Sequence, residues 1–154
     1  IFSYHGLPER QVRRVCSAHH DCDLKQACPT ITSNNTDCYR AQCYATARLI
    51  AQSLGLKNDH YQVTFQSRLG KTPWIGPYTD HALVDLAQKG MKEIVIVCPS
   101  FIADCLETLE EIDLRANAQW QSLGGQSLQR IPCLNAHASW ASALSDIILE
   151  AESE

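Results

Sequence analysis

The chain has 154 residues, of which 45% are hydrophobic and 19% are charged, and this is the composition of one globular domain rather than of a disordered segment. Its formal net charge of −4 offers no overall basic surface, and no apolar run approaches the roughly 18 residues of a membrane-spanning helix. We therefore expect a cytoplasmic protein without a nucleic-acid partner; the composition leaves a peripheral membrane contact open but does not argue for one.

The first eight residues, IFSYHGLP, are typical of the end of a β-strand and the loop that leaves it, because Gly and Pro interrupt strands. The chain starts without a methionine, and Met91 is the only one in it. On these grounds we interpret the chain as the second half of a longer protein. Residues 16–37 then form a long polar connection, of a kind that is usually functional or held together by another group.

Strands and helices alternate in the remainder of the chain. The sequence predicts, in order, a helix from Cys38 to Gly55 with Ala41, Ala45, Leu49 and Ile50 on its apolar face, a strand over 61–65, a helix from a Thr79-Asp80 cap through Ala87, a strand over 93–99 covered on both faces, a helix over 104–123, a strand over 128–132 and a helix over 139–150. This order predicts a parallel sheet with helices on both faces, and the candidate functional residues should gather at the carboxyl ends of its strands.

The stretch ADCLETLEEID places different side chains on opposite faces of its predicted helix. At about 100° per residue, Asp104, Glu107 and Glu111 share one narrow arc. The opposing arc is predicted to be core and consists of Cys105, Leu106, Leu109 and Ile112. Three adjacent carboxylates repel one another unless water or a cation lies between them. A solvated helix face is the simpler interpretation, but a helix that begins just after a central strand lies where a binding cleft is expected.

His5 would bring an imidazole to the same edge of the sheet. A lone histidine at a strand end is more often structural, so its candidacy depends on its pairing with the acids. A neutral imidazole can accept a proton or bind a metal near pH 7, and oxygen ligands beside an imidazole suit a divalent ion such as Fe²⁺.

Four segments in fixed order carry a family resemblance, namely SYHGLPER, TFQSRLGKTPWIGPYTD, VCPSFIADCLETLEEID and IPCLN. They resemble the C-terminal half of bacterial ferrochelatases, and the resemblance covers the whole chain except part of the loop at 16–37. Ferrochelatases are lyases of haem biosynthesis that insert Fe²⁺ into protoporphyrin IX to make protohaem, and they need no organic cofactor. The resemblance implies a chelatase-like three-layer α/β domain over 1–154 with a four-stranded parallel sheet. It would be one of two similar halves that enclose the porphyrin, the partner being the N-terminal half.

The resemblance also implies roles for individual residues. His5 matches the histidine that takes pyrrole protons or binds the substrate Fe²⁺, and Glu107 matches the glutamate that faces it. Asp104 and Glu111 continue the acidic row through which metal enters or protons leave. Trp74 matches an aromatic that packs against the porphyrin, although an aromatic that anchors its own loop is an equal alternative. The motif Gln66-Ser67-Arg68 is structural or directs the porphyrin propionates, and some family members widen the helix near the glutamate into a π-bulge.

Eight cysteines are unusual for this length, and the full-sized apolar core pattern favours reduced thiols over a disulfide framework. The insertion over 16–43 resembles that of a subset of bacterial ferrochelatases with an internal [2Fe–2S] cluster, which requires four cysteines. The implied ligands are Cys22, Cys28, Cys38 and Cys43. A four-cysteine zinc site is an alternative, and Cys16, His19 or His20 could replace one ligand. Cys98, Cys105 and Cys133 are predicted to be core residues.

Three functions remain open from the sequence. The first is a ferrochelatase, of which this fragment alone would be inactive because one wall of the cleft is absent. The second is another tetrapyrrole chelatase of the same fold, acting on coproporphyrin or a sirohydrochlorin-type substrate. The third is a cluster-stabilised binding domain without catalysis, against which the pairing of His5 with Glu107 argues.

Overall fold

Four short parallel strands form the centre of the computed structural model, which describes residues 1–16 and 23–152, without the side chain of Cys16. Strand β1 (Phe2–His5) pairs with β2 (Val63–Gln66), and β3 (Glu93–Ile96) pairs with β4 (Ser127–Arg130). A single parallel bridge between Phe2 and Val97 joins the two pairs, so the spatial order is β2-β1-β3-β4. The α/β class with parallel strands is confirmed, but the strands form two pairs joined at one bridge rather than one continuous four-stranded sheet.

The helices are α1 (Glu9–Cys16), α2 (Tyr39–Ser53), α3 (Thr79–Gln88) and α6 (Ala138–Ala151), together with one long helical segment after β3. That segment begins as α4 (Leu106–Thr108), widens into a π-helix over Leu109–Ala116 and ends as α5 (Asn117–Ser122). Helix α1 is not among the predicted elements. It carries three arginines, buries Val12 and packs Val15, three residues further on, against the same core.

The interior is divided into two apolar cores. The first lies between β1, β2 and α2 and contains Tyr4, Phe65 and Ile75 together with the described cysteines of the insertion. The second lies around β3, β4 and the π-helix and contains Ile96, Ile112 and the fully buried Trp120. The indole nitrogen of Trp120 donates to the Ser127 carbonyl oxygen at 3.0 Å, so this large side chain is buried without an unsatisfied donor.

A buried polar network lies between the two cores. The hydroxyl of Ser3 donates to Gln66 Oε1 at 2.6 Å, and the hydroxyl of Thr79 lies 2.8 Å from Ser3 Oγ and 2.9 Å from Thr64 Oγ1. The prediction that Thr79-Asp80 caps α3 is therefore wrong for Thr79, because its hydroxyl bonds to the strands and the capping position is Tyr78. A buried network in which each hydroxyl has a partner fixes the register of the elements that meet there.

Several predicted apolar faces differ from the observed ones. Leu49 is 65% exposed, because α2 buries the face that carries Ala41, Tyr44 and Ala47. Strand β3 alternates, with Ile94 and Ile96 buried and Val95 exposed, so it is covered on one face rather than on both. The predicted core arc of the acidic helix holds for Ile112 but not for Leu106 and Leu109, which are exposed. The π-helix has a wider turn than an α-helix, and this changes which positions share a face.

Helix α6 differs from the other long helices because none of its residues is buried. Trp140 is half-buried, and the aliphatic side chains of Leu144, Ile147, Ile148 and Leu149 are at least 39% exposed. Within residues 1–16 and 23–152, no helix combines the length and the apolar character needed to cross a membrane.

Candidate active site

His5 is the last residue of β1, and neighbouring groups hold its backbone on both sides. Its amide donates to Ser100 Oγ at 3.0 Å, and its carbonyl oxygen accepts the Tyr39 hydroxyl at 2.7 Å. The ring Nδ1 lies 2.6 Å from the Gly6 carbonyl oxygen. Because a carbonyl can only accept, Nδ1 carries the proton, and in the neutral ring Nε2 keeps its lone pair. His5 therefore presents a base or a metal ligand at Nε2.

Glu107 is the carboxylate that interacts with His5. A hydrogen bond to the Cys105 side chain contributes most to lowering the Glu107 pKa, followed by a backbone hydrogen bond, and the nearby His5 ring adds an electrostatic contribution. Glu107 is therefore ionised at neutral pH and lies within electrostatic reach of His5. The two residues predicted to face each other, one from β1 and one from α4, thus interact electrostatically, and their catalytic roles stay a prediction.

Glu111 is held by the segment that follows β2. Its carboxylate accepts the Ser67 amide at 2.8 Å, the Ser67 hydroxyl at 2.5 Å and the Gln66 side-chain amide at 3.3 Å. Gln66 also donates to the Glu107 backbone oxygen at 2.6 Å. Ser67 has a φ of 65°, a left-handed conformation that a residue other than glycine adopts at a cost, and this conformation aims both of its donors at Glu111. Gln66 and Ser67 therefore fix the start of the π-helix against the end of β2.

Asp104 has a different environment from the other two acids. Its carboxylate accepts Arg130 at 2.7 Å, the Asn135 side chain at 2.8 Å and the Cys133 amide at 3.2 Å. These hydrogen bonds, with Asn135 contributing most, hold the pKa of Asp104 well below its usual range. Arg130 is 6% exposed and also pairs with Asp113 at 2.8 Å. Asp104 thus ties the start of the acidic helix to β4, and its predicted place in a catalytic row stays a prediction.

Replacing Arg130 with methionine is expected to lower the free energy of unfolding by about 2–3 kcal/mol at pH 7, because two partly buried carboxylates lose their counter-charge. A depressed pKa stabilises the fold above about pH 4, the unfolded value, and this stabilisation is lost as the pH falls. Arg130 contributes less than Asn135 to the low pKa of Asp104, so the variant should keep most of this pH dependence when urea denaturation at pH 7 is compared with that at pH 3.5.

The matched control for this measurement is Arg115→Met. Arg115 pairs with Glu110 at 2.9 Å, but the two side chains are 66% and 45% exposed. An exposed pair of this kind contributes about 0–1 kcal/mol. Equal losses for the two variants would contradict the structural assignment of Arg130.

Trp74 and Arg68 complete the edge of the site. The indole of Trp74 lies so near Gly6 that a Cβ there would come within 3.3 Å of the ring, and its Nε1 donates to the Leu69 carbonyl oxygen at 3.0 Å. Trp74 is thus anchored within its own loop and lies next to the residue that follows His5. Arg68 forms two hydrogen bonds of 2.6 and 2.7 Å with Asp80. A cavity of about 330 Å³ lies beside Arg68, Gln66 and Glu111.

Comparison with known proteins decides which family has this arrangement. The Ferrochelatase family matches residues 1–152 of the chain. The chain therefore belongs to the ferrochelatase family.

Two relatives are similar to the chain over nearly all of its length. The ferrochelatase of Coxiella burnetii (strain Dugway 5J108-111) is 54% identical over 145 residues, which is 94% of this chain and 41% of the relative. The ferrochelatase of Legionella pneumophila (strain Lens) is 51% identical over 152 residues, which is 97% of this chain and 44% of the relative. The chain thus spans less than half the length of the ferrochelatases it matches.

The cysteines implied by the ferrochelatase resemblance are only partly within the described residues. Cys28, Cys38 and Cys43 are buried in the first core, whereas Cys22 lies outside the described residues. Burial raises the pKa of Cys43 to about 12, and Cys28 and Cys38 are near enough to raise it further. Within the described ranges, no three Cys, His, Asp or Glu side chains are gathered closely enough to hold a metal ion.

Three further cysteines lie around the second core and the acidic helix. Cys98 is buried, as predicted, whereas Cys105 and Cys133 are only partly buried. Cys105 precedes α4 and its side chain accepts a hydrogen bond from the Thr108 backbone, so this thiol has a capping role that the sequence did not predict.

Several hydrogen-bond partners of the site residues come from distant segments of the chain, and the sequence did not predict these contacts. The sequence marked Gln66 and Ser67 as part of a motif without choosing their role, and Asn135 entered as the last residue of the IPCLN segment. It did not single out Arg130 or Tyr39. An arginine within the strand predicted over 128–132 is a signal for Arg130, because burial of a guanidinium there requires a carboxylate nearby.

Proposed function

We propose that the chain is the C-terminal half of a ferrochelatase, residues 1–154, and that it carries the residues that insert Fe²⁺ into protoporphyrin IX. The observation that carries this proposal is the pairing of His5, whose Nε2 is free to accept a proton, with the ionised Glu107. Family membership and relatives named ferrochelatase support the same reaction.

The reaction replaces two pyrrole N–H protons of the porphyrin by one Fe²⁺, so two protons must leave the centre of the ring, one to His5 and one along the acidic residues to solvent. His5 Nε2 accepts a proton from the pyrrole that bends towards it, since a bent pyrrole exposes its nitrogen. Glu107 stabilises the charge that develops on the histidine and offers an oxygen ligand to the incoming ion. A cleft whose shape fits the bent ring better than the flat ring lowers the barrier to insertion.

The two remaining acids then have different tasks. Glu111 is held by Gln66 and Ser67 one turn beyond Glu107, and we assign it the next step in the path of protons or metal. Asp104 is engaged by Arg130 and Asn135 and orients the beginning of this row. Trp74, anchored next to Gly6, supplies a flat aromatic surface for the macrocycle.

We place the exposed apolar face of α6 against the half of the enzyme that this chain does not contain. The full-length protein is then expected to convert protoporphyrin IX and Fe²⁺ to protohaem under anaerobic conditions, as followed by absorbance, whereas residues 1–154 alone should fold without doing so. Protohaem formation by the fragment alone would contradict the two-halved cleft. A full-length protein that uses only coproporphyrin would replace the proposed substrate by the alternative one.

We propose further that Cys22, Cys28, Cys38 and Cys43 hold a [2Fe–2S] cluster. The chemistry of the donors fits, because Cys28, Cys38 and Cys43 are thiols buried in one core, where Arg40, a guanidinium with an unpaired buried Nε, donates to Cys28 Sγ. Such a cluster would hold the loop at 16–37 closed, so that the loop needs no hydrophobic core of its own. When bound, it would supply one-electron chemistry. No step of metal insertion requires it.

Anaerobically purified full-length protein is expected to be brown and to contain about two irons and two inorganic sulfides per chain. Serine at Cys22, Cys28, Cys38 or Cys43 should each abolish the colour, whereas Cys98→Ser, at a buried thiol of the other core, should keep it. A colourless Cys16→Ser beside a brown Cys22→Ser would show that Cys16 is the first ligand. Colourless wild-type protein with one tightly bound zinc would contradict the cluster.

A further inference from the structure

Arg40, in the first turn of α2, is a buried cation. It is 1% exposed, and both of its terminal nitrogens are engaged. They donate to the carbonyl oxygens of Leu24, Gln26 and Gly76 at 3.1, 2.9 and 3.2 Å, to the Tyr44 hydroxyl at 3.3 Å and to Cys28 Sγ at 3.1 Å. The guanidinium also lies over the Tyr44 ring, 4.8 Å from its centroid.

The partners of Arg40 carry no formal negative charge when the thiols are protonated. In the described part of the chain no carboxylate forms an ion pair with it. Asp23 is exposed, and its pKa is lowered chiefly by hydrogen bonds from the Lys25 amide and the Gln26 side chain, with Arg40 a lesser contributor. The Nε of Arg40 is buried without a partner. A buried charge is strongly unfavourable unless an opposite charge compensates it, so this guanidinium requires an anion close by.

The sulfur atoms of the insertion are the groups that can provide this anion. Cys28 Sγ accepts an N–H of Arg40 directly, and Cys38 and Cys43 lie in the same core and interact electrostatically with each other. Four thiolates around two irons and two sulfides carry a net negative charge, which increases when the cluster takes up an electron.

We propose that Arg40 is the internal counter-cation of the sulfur centre formed by Cys28, Cys38, Cys43 and a fourth cysteine, and that its hydrogen bond to Cys28 Sγ raises the reduction potential of that centre. The inference rests on the proposed cluster. A cation and a hydrogen bond at sulfur both stabilise the more negative, reduced form, so their removal makes reduction harder. Arg40 is a positioning and charge-compensating residue and has no assigned contact with the porphyrin.

The test is an anaerobic redox titration of the full-length protein, followed by the visible absorbance of the cluster and by electron paramagnetic resonance of the reduced form. Arg40→Met should lower the midpoint potential so that the ratio of reduced to oxidised cluster at a fixed potential falls at least tenfold, which corresponds to about 59 mV for one electron. Arg40→Lys keeps the charge but not the forked geometry and should show a smaller shift in the same direction.

Arg48→Met is the matched control. Arg48 also contacts the insertion, but it donates to the carbonyl oxygens of Cys28 and Pro29, both at 2.8 Å, and not to a sulfur. Its loss should change the reduced-to-oxidised ratio by less than about twofold, since a charge near the surface is screened by solvent and salt. Cluster content and circular dichroism are measured for every variant.

An Arg40→Met variant with the wild-type potential, or an Arg48→Met variant with an equal shift, would overturn the role of Arg40 while leaving the cluster in place. If Arg40→Met does not fold, Arg40→Lys decides, and an unchanged or raised potential there would overturn the proposal. A folded but colourless Arg40→Met beside a brown Arg40→Lys would support the charge-compensating role, because lysine keeps the positive charge and methionine removes it. Wild-type protein without iron and sulfide would overturn both the cluster and this inference.

Discussion

Replacing His5 with alanine in the full-length protein is expected to lower the rate of iron insertion by about two to four orders of magnitude, the range that a positioned acid–base group contributes. The ring is held by the Gly6 carbonyl so that Nε2 is the free nitrogen, and no other histidine of the described residues lies at this strand end. Alanine removes both the base and the candidate metal ligand but leaves the backbone hydrogen bonds to Ser100 and Tyr39 available.

Porphyrin binding should persist in this variant, and tryptophan fluorescence quenching measures it separately from turnover. The control is His60→Ala, because His60 is 59% exposed and lies in a different loop, beside Asp59. Its turnover should equal that of the parent protein. Near-wild-type turnover of the His5 variant would show that another group takes the pyrrole protons.

Glu107→Gln is expected to lower turnover by about two orders of magnitude, because glutamine keeps the shape of the side chain but cannot carry the negative charge that faces His5. The hydrogen bond that Gln66 donates to the Glu107 backbone oxygen does not depend on the side chain, so the fold of α4 should be retained. Steady-state rates with Fe²⁺ and protoporphyrin IX, together with a thermal unfolding curve, measure the two properties.

Glu110→Gln is the matched control for this variant because it makes the same chemical change three residues further along. Glu110 pairs with Arg115 in an exposed ion pair that contributes about 0–1 kcal/mol. Turnover of this variant should remain within about twofold of the parent protein. Equal losses at Glu107 and Glu110 would contradict the assignment of the acidic face to catalysis.

The convergence of His5 with the Gln66-Ser67 segment could be predicted from the sequence. Parallel strands end at the same edge of a sheet, and the observed register places His5 directly opposite Gln66. The family was also recognisable, because four ordered segments specify it and family comparison confirms it. The assignment to one half and the iron–sulfur cluster remain proposals.

The details of the acidic helix could not be predicted in the same way. Helical arithmetic at about 100° per residue assumes an α-helix, but Leu109–Ala116 is π-helical, and the exposed Leu106 and Leu109 show the resulting change of phase. Asp104 was grouped with Glu107 by sequence spacing, whereas its partners Arg130 and Asn135 come from segments 26 and 31 residues away. Such non-local partners leave no periodic signal in the sequence.

The same limit explains why Arg40 was not singled out. In the sequence it is one cation near the start of a predicted helix, where an exposed side chain is the usual outcome. Its burial depends on carbonyl oxygens from the insertion and on Gly76. Cysteine spacing suggested a set of ligands but contains no information about the charge that surrounds them.

The division of the interior into two cores has a consequence for how this site can evolve. His5 belongs to the strand pair of the first core, whereas Glu107 and Glu111 precede or lie within the π-helix that packs on the second, and one bridge at Phe2 and Val97 joins the strand pairs. The hydrogen bonds from Gln66 and Ser67 to the acidic helix also cross this seam, so substitutions of these two residues can change the separation of histidine and acids. We therefore expect substitutions at the seam to change the geometry of the site while the histidine and the acids themselves stay the same.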